Sequence, residues 1–363
     1  TVLLIPESSQ VKSMKKIFIG IDVSKETLDV TMIISSEDGF TVSSEAYVKV
    51  GNSEKGFSQA VSFVRKNAKK TPSEQWLFCC ETTGGYDNKL CQYLYKQGFE
   101  IWREHAKNIT NVRQNNGKDD KSDSRLIADY AMRNRDRSVA FVPRSEEIED
   151  LRQLAMFRRQ LVNTRTQLMV RRKEIKSTMD SSKYLTYIFN EADKDIERLT
   201  KQIAQCEKQM VELLQSSKEL SKNYKHVLSI PGIGLVNAAM VIIYSDNFKP
   251  LYNSRHFASY CGIAPFYERS GTSVNKRKCI KGNSNGIVRS YLNQAAHVAA
   301  RLNPDMVDYR LRMEEKGKPH GVIITNIANK LLHIMYALAK NDCDFEKGHE
   351  KVRKERLEKE RKS

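Results

Sequence analysis

The stretch KKIFIGIDV (residues 15–23) decides how the chain begins to fold. It is a short apolar run, of strand rather than helix length, and it closes beside an acid, Asp22. Working outward, LDVTMII (28–34) and FTVSSEAYVKV (40–50) read as two further strands, the second after the turn signal Asp38-Gly39. Residues 53–69 place Phe57, Ala60, Val61 and Val64 at i, i+3, i+4 and i+7, the stripe of an amphipathic helix. WLFCCE (76–81) is a second buried strand ending on an acid, Glu81. TTGGYDNKLCQYLYKQG then reads as a Gly-rich turn and a helix closed by Gly98, FEIWRE (99–104) as a fifth strand, and 105–134 as helical. The order β-β-β-α-β-α-β-α predicts an α/β domain with a mixed sheet over residues 14–140.

Residues 145–225 follow another period. Ser145 with Glu146, Glu147 and Glu149 behind it is a helix start. Leu154, Leu161, Leu168 and Ile175 recur every seven residues, and Ile196, Leu199, Ile203, Cys206, Met210 and Leu213 step by three and four. That pattern predicts a long antiparallel coiled-coil hairpin with its joint near 181–189, the seam closed by the same chain or by another subunit. From Leu151 to Lys173 there are seven basic residues and no acid. This is either a solvated helix face or a face that tracks phosphates through Arg158, Arg165 and Arg172. Residues 226–345 read as a mostly helical domain, with IPGIGLVNA (230–238) and helices near 285–302, 305–316 and 321–340. Residues 346–363 are a charged tail.

Composition narrows the function. The chain has 363 residues and a formal net charge of +17, so a polyanion is the expected partner, nucleic acid first. The seven cysteines form no C-x-x-C pair, so neither zinc ligation nor a disulfide framework is expected, and usage fits a reducing cytoplasm. No apolar run reads as long enough to span a membrane. The opening TVLLIPESSQVKS reads as an upstream remnant, with folding from Met14.

Acids at strand ends gather where loops and ligands meet. Asp120 and Asp123, in GKDDKSDSRLIADYA (117–131), lie three apart at a helix start and so share a face. Taken alone, that pair reads first as a helix N-terminus charge pair. With Asp22 and Glu81 it forms a quartet that cannot ionise together without compensation. Mg²⁺ supplies it through hard oxygen ligands, and two such ions about 4 Å apart would clamp a phosphodiester.

GIDVSKETLDV, ETTGGYDNKL and KDDKSDSRLIADYA resemble the DEDD-type transposases of bacterial insertion sequences, relatives of the Piv-type DNA invertases, from Met14 to about residue 340. The resemblance implies a RuvC-like (ribonuclease-H-like) N-terminal domain with Asp22, Glu81, Asp120 and Asp123 as metal ligands. The family's Lys-Thr-Asp-x-x-Asp-Ala reads Lys118-Asp119-Asp120-Lys121-Ser122-Asp123-Ser124 here, so Asp119 competes with Asp120; register selects Asp120. YCGIAPFYERSG and KGNSNGIVRSYL resemble the family's C-terminal transposase domain, and the resemblance makes Ser270 the nucleophile.

The residues themselves leave more open. Ser270 is an ordinary turn serine on its own, with Ser273, Ser284 and Tyr267 as rivals. Its setting is cationic: from Arg269 to Pro304 there is no acid and there are seven bases. Arg269, Lys276, Arg277, Lys278 and Lys281 suit a scissile phosphate, and Gly271 leaves room for DNA. Nothing in the loop is a general base, so the base or metal is expected from the carboxylate domain. IPGIG reads either as a plain turn or as a helix-hairpin-helix element whose Gly232 and Gly234 admit a phosphate. Asn283 is expected to cap the helix near 285, and His297 and His333 to be satisfied core residues.

The resulting expectation is a recombinase of double-stranded DNA acting as a dimer or tetramer through the coiled coil, in the bacterial cytoplasm at the nucleoid. The resemblance implies a structured noncoding guide RNA. A RuvC-type hydrolytic nuclease and a non-catalytic nucleic-acid scaffold are the competing readings.

Overall fold

The computed structural model describes residues 16–68, 71–82, 84–110, 120–180, 182–249, 253–264, 266–270, 274–278 and 284–348. The chain divides into two compact units, Thr1–Pro143 and Arg144–Ser363.

The first unit follows the element order expected from the sequence: β1 (Ile17–Val23), β2 (Thr27–Ser35), β3 (Val42–Gly51), α1 (Glu54–Asn67), β4 (Trp76–Glu81), α2 (Asn88–Lys96), β5 (Ile101–Glu104), α3 (Ala106–Thr110) and α4 (Asp120–Arg133). The sheet runs β3-β2-β1-β4-β5, antiparallel from β3 to β1 and parallel from β1 to β5. Side chains alternate across a strand, so β1 splits its apolar run between two layers. Ile17, Ile19 and Ile21 pack with Phe57, Val61 and Val64 of α1 and Leu90 and Leu94 of α2. Phe18 packs with Leu77, Cys79, Trp102 and, from α4, Ile127 and Ala131 on the other side. A strand buried on both faces needs continuous rather than alternating hydrophobicity, which is what residues 17–21 show.

The second unit contains α5 (Glu146–Thr178), α6 (Lys183–Leu214), α7 (Lys218–Leu228), α8 (Leu235–Tyr244), α9 (Ser254–Cys261), the hairpin β6 (Phe266–Ser270) and β7 (Val274–Lys278), α10 (Gly286–Leu302), α11 (Pro304–Glu315) and α12 (His320–Asn341). The Ser145 hydroxyl accepts the Ile148 N–H and starts α5 as expected. α5 and α6 lie side by side and antiparallel: Arg158 meets Glu207, Arg165 meets Thr200 and Arg172 meets Asp193, each seven-residue step along one helix matching a seven-residue step back along the other. Leu161 is buried against Leu199 and Ile203, with Leu168 beside them. The base of this helix pair is continuous with the helical core: Ile148, Leu151, Cys206, Met210 and Leu214 share one cluster with residues of α8, α10 and α12.

Several expectations change. α5 ends at Thr178 and α6 starts at Lys183, earlier than a joint over 181–189 would place it, because the Ser182 hydroxyl accepts the Leu185 N–H. The cap of α10 is Asn285, whose side chain accepts from the Ile287 and Val288 N–H groups; Asn283 lies outside the described residues. His333 is satisfied by the Ser254 hydroxyl at 2.8 Å, but His297 is exposed, its ring 5.5 Å from that of His320. α12 is long and apolar enough to cross a membrane, contrary to expectation. Its apolarity has a local reason, since Ile323, Ile327, Leu331, Leu332 and Met335 are buried in the helical core.

Candidate active site

The site is built at the C-terminal ends of β1 and β4, neighbouring strands inside the first sheet. Parallel register pairs Ile21 with Cys80, so Asp22 and Glu81 are the next residues of adjacent strands. Alternation directs both to the α4 side, the side of Phe18, Leu77 and Cys79. Register extends the row in both directions. Glu104 of β5 pairs with Glu81, while Asp29 of β2 pairs with Asp22 and Lys49 of β3 with Asp29.

α4 delivers the helical acids onto this row because β1 gives way beneath it. A Cβ at Gly20 would stand 2.2 Å from the Ser124 carbonyl oxygen and 2.3 Å from the Ala128 nitrogen, so only glycine admits the helix here. The buried Ser124 hydroxyl makes a 2.7 Å hydrogen bond with the Thr31 hydroxyl of β2. Asp123, the neighbour of Ser124, is thereby held over the strand ends. Asp120 is the first residue of α4, three before Asp123; its side chain, like all of Asp119, lies outside the described residues.

Electrostatics record the nearness of Asp123 to Glu81. The Glu81 carboxyl is pushed above its ordinary value, first by burial and next by the negative charge of Asp123, with His105 opposing. A carboxyl raised by a neighbouring acid fits a divalent cation, whose charge removes the repulsion. Asp22, Glu81 and Asp123 are the residues that would hold such an ion.

The flanking acids, which the sequence reading passed over, are committed elsewhere. Asp29 is buried, takes a hydrogen bond from the Tyr47 hydroxyl and lies 3.2 Å from the Lys49 ammonium. Glu104 accepts from the His105 N–H at 2.6 Å, the Asn108 amide at 2.8 Å and the Tyr130 hydroxyl of α4 at 3.2 Å. It braces α4 against β5, and burial with the Glu104 charge pushes the Tyr130 phenol up to about 12. FEIWRE carried the same signal as WLFCCE, an apolar strand ending on an acid. Gly20, Thr31 and Ser124 gave no signal of their own.

In the second unit, Ser270 closes β6 and pairs with Val274 across a short hairpin where a loop was expected. Arg269 pairs with Asn275, Lys276 with Glu268, Arg277 with Tyr267 and Lys278 with Phe266. The side chains of this hairpin, and Gly271, Ser273 and Lys281 entirely, lie outside the described residues. Ser284 accepts from Arg289 at 3.0 Å. α7, the IPGIG turn and α8 form two helices joined by a tight turn. Gly232 has φ +101°, and a Cβ there would stand 2.7 Å from Ala299 of α10, so packing demands this glycine. Gly234 faces open space at the start of α8. Arg158 and Arg172 are spent on α6, 2.7 Å from Glu207 and 2.8 Å from Asp193, and Arg165 reaches Thr200 at 3.3 Å.

A mixed five-stranded sheet presenting acids from two parallel strands beneath an acid-bearing helix is compatible with a ribonuclease-H-like DEDD domain, the class of metal-dependent enzymes that cut and transfer DNA strands. Comparison with known proteins gives the particular family. A family model described as "Transposase", of the DEDD type, matches residues 19–180, and the model "Transposase IS116/IS110/IS902 family" matches residues 224–310. The chain belongs to the IS110 family of DEDD transposases and is a DNA recombinase of that family. It is similar to the "Pilin gene-inverting protein" of Moraxella lacunata and to that of Moraxella bovis, each 27% identical over 92% of this chain and 99% of the relative. It is also similar to the "Insertion element IS110 uncharacterized 43.6 kDa protein" of Streptomyces coelicolor, 25% identical over 32% of this chain and 29% of that protein.

Proposed function

We propose that this transposase cuts and rejoins double-stranded DNA through a phosphoserine at Ser270, with Asp22, Glu81, Asp120 and Asp123 holding two Mg²⁺ ions. The observation that carries the metal reading is the raised Glu81 carboxyl facing Asp123 at the strand edge that also bears Asp22. Bound Mg²⁺ supplies positive charge to the phosphate as negative charge builds on it.

The Ser270 hydroxyl attacks a DNA phosphorus and loses its proton to a base. The phosphorus–oxygen bond to one strand breaks, and that strand leaves as a hydroxyl with a proton taken up. The hydroxyl of an incoming strand then attacks the phosphoserine, forming the new phosphodiester and returning a proton to Ser270. One ester replaces another at each step, so no ATP is needed. A neutral serine is a weak nucleophile, and Arg269, Lys276, Arg277, Lys278 and Lys281 offset charge on the attacked phosphate. Gly271 leaves room for the DNA backbone, and the open start of α8 at Gly234 takes a neighbouring phosphate. We assign Gly232, Arg158, Arg165 and Arg172 to holding helices together rather than to phosphate.

The pilin gene-inverting relatives support cut-and-rejoin chemistry, since inverting a gene requires strands to be broken and resealed in a new order. The seven-residue register of α5 and α6 supports a coiled-coil hairpin within the chain, whose outer surface would join chains into a dimer or tetramer able to hold two duplexes. A structured guide RNA would fit this basic chain through its A-form backbone. Such a protein works in the bacterial cytoplasm, on the nucleoid.

The test is a trapped protein–DNA adduct with element-end DNA, Mg²⁺ and RNA transcribed from the flanking segment. The adduct is expected with wild type and Ser273→Ala and absent with Ser270→Ala and Asp22→Ala. Strand cutting that persists in Ser270→Ala without an adduct would establish hydrolysis by the carboxylates instead.

A further inference from the structure

Cys80 immediately precedes Glu81, and alternation sends its side chain to the opposite face of the sheet, toward α2. There its sulfur lies 3.6 Å from the sulfur of Cys91 in α2. Asp87, the residue before α2, completes a group whose ligand atoms all lie within 4.8 Å of one another, all three residues being buried.

Asp87 is the unusual member. It occupies the cap position of α2 yet its side chain makes no capping hydrogen bond. The residue is 0% exposed, and Oδ1 has no hydrogen-bond partner. Arg103 stands 2.5 Å from Oδ2, an ion pair without hydrogen-bond geometry. Two thiols joined by an S–H···S hydrogen bond account for the cysteines but not for this oxygen, since an unsatisfied buried acceptor costs roughly 1–3 kcal/mol.

We propose that Cys80, Asp87 and Cys91 form a buried zinc site. Two thiolates bound tetrahedrally at about 2.3 Å place their sulfurs about 3.8 Å apart, close to the separation seen here. The incoming ion displaces the two thiol protons to solvent and forms two sulfur bonds and one bond to Asp87 Oδ1, with a water in the fourth position. Charge closes as well. Asp87 and Arg103 already cancel, and two thiolates cancel the divalent ion. No C-x-x-C motif signals the site, because the sulfurs come from a strand and a helix eleven residues apart. Occupancy would tie the end of β4, and with it Glu81, to the start of α2. The inference does not depend on the phosphoserine reading.

The experiment uses the full chain purified without chelator. Elemental analysis is expected to find about one zinc per chain, and Co²⁺ substitution to give thiolate-to-metal charge-transfer bands. Both are expected to survive in Cys79→Ala, whose thiol faces α4, and to be lost in Cys80→Ala and Cys91→Ala. Asp87→Asn is expected to weaken zinc affinity, since an amide oxygen replaces a charged ligand. Absence of zinc and of Co²⁺ bands in folded wild type would overturn the proposal. So would Co²⁺ bands that persist in Cys91→Ala, or a native mass short by two hydrogens on a Cys80–Cys91 disulfide.

Discussion

Glu81 is the residue at which burial and charge meet. Its carboxyl is raised above 4.5 by burial and by Asp123. A raised folded value means that the folded state holds the proton more tightly than the unfolded one. The stability this contributes is complete below the unfolded value and is lost as pH rises through the folded value. At neutral pH and without Mg²⁺, the ionised group is therefore a net burden. Glu81→Gln is expected to melt above wild type in magnesium-free buffer at neutral pH, with the gap closing as the pH falls to the ordinary carboxylate range. Adding Mg²⁺ is expected to raise the melting temperature of wild type more than that of the variant. Thermal melts across pH, with and without Mg²⁺, measure both. At this scale the strand-end acids were legible, because a carboxylate closing an apolar run stands out. Asp29 lay inside such a run, and its pairing with Lys49 and Tyr47 depends on strand register that local pattern does not carry.

Among elements, the seating of α4 decides whether the acids meet. The helix rests on Gly20 and is pinned by the Thr31–Ser124 hydrogen bond, which is buried. Ser124→Ala strands the Thr31 hydroxyl and is expected to cost about 1–3 kcal/mol. Thr31→Val strands Ser124 less severely, because that hydroxyl also donates to the Lys121 carbonyl. The double variant is expected to cost less than the sum of the two, since both partners leave together. Urea unfolding of the four proteins in the cycle gives the coupling directly; strict additivity would show that the bond does not hold α4. The helix itself was readable from its acids and apolar spacing, its docking site was not. The same division appears in α5. Its seven-residue repeat was legible, whereas the use of Arg158 and Arg172 was not, because a basic run looks alike whether it faces phosphate or a carboxylate on the next helix.

For the whole molecule, the net charge of +17 governs encounter with nucleic acid. Each neutralised phosphate releases counterions, so affinity for double-stranded DNA is expected to fall by roughly 10³–10⁵ between about 50 and 200 mM salt if 6–10 phosphates are contacted. A filter-binding or anisotropy titration at several salt concentrations measures the slope, and a flat response would contradict a phosphate-dominated interface. Each unit has its own hydrophobic core. The sequence by itself determined the strand and helix order, the strand-end acids, the heptad helices and the resemblance to DEDD transposases, all of which are written in local periodicity or contiguous motifs. Tertiary structure alone decided that α4 crosses β1 at Gly20, that the Asp123 charge acts on Glu81, and that Cys80, Asp87 and Cys91 form one buried group. Those facts depend on which surfaces pack together, and packing joins residues whose separation along the chain leaves no periodic trace.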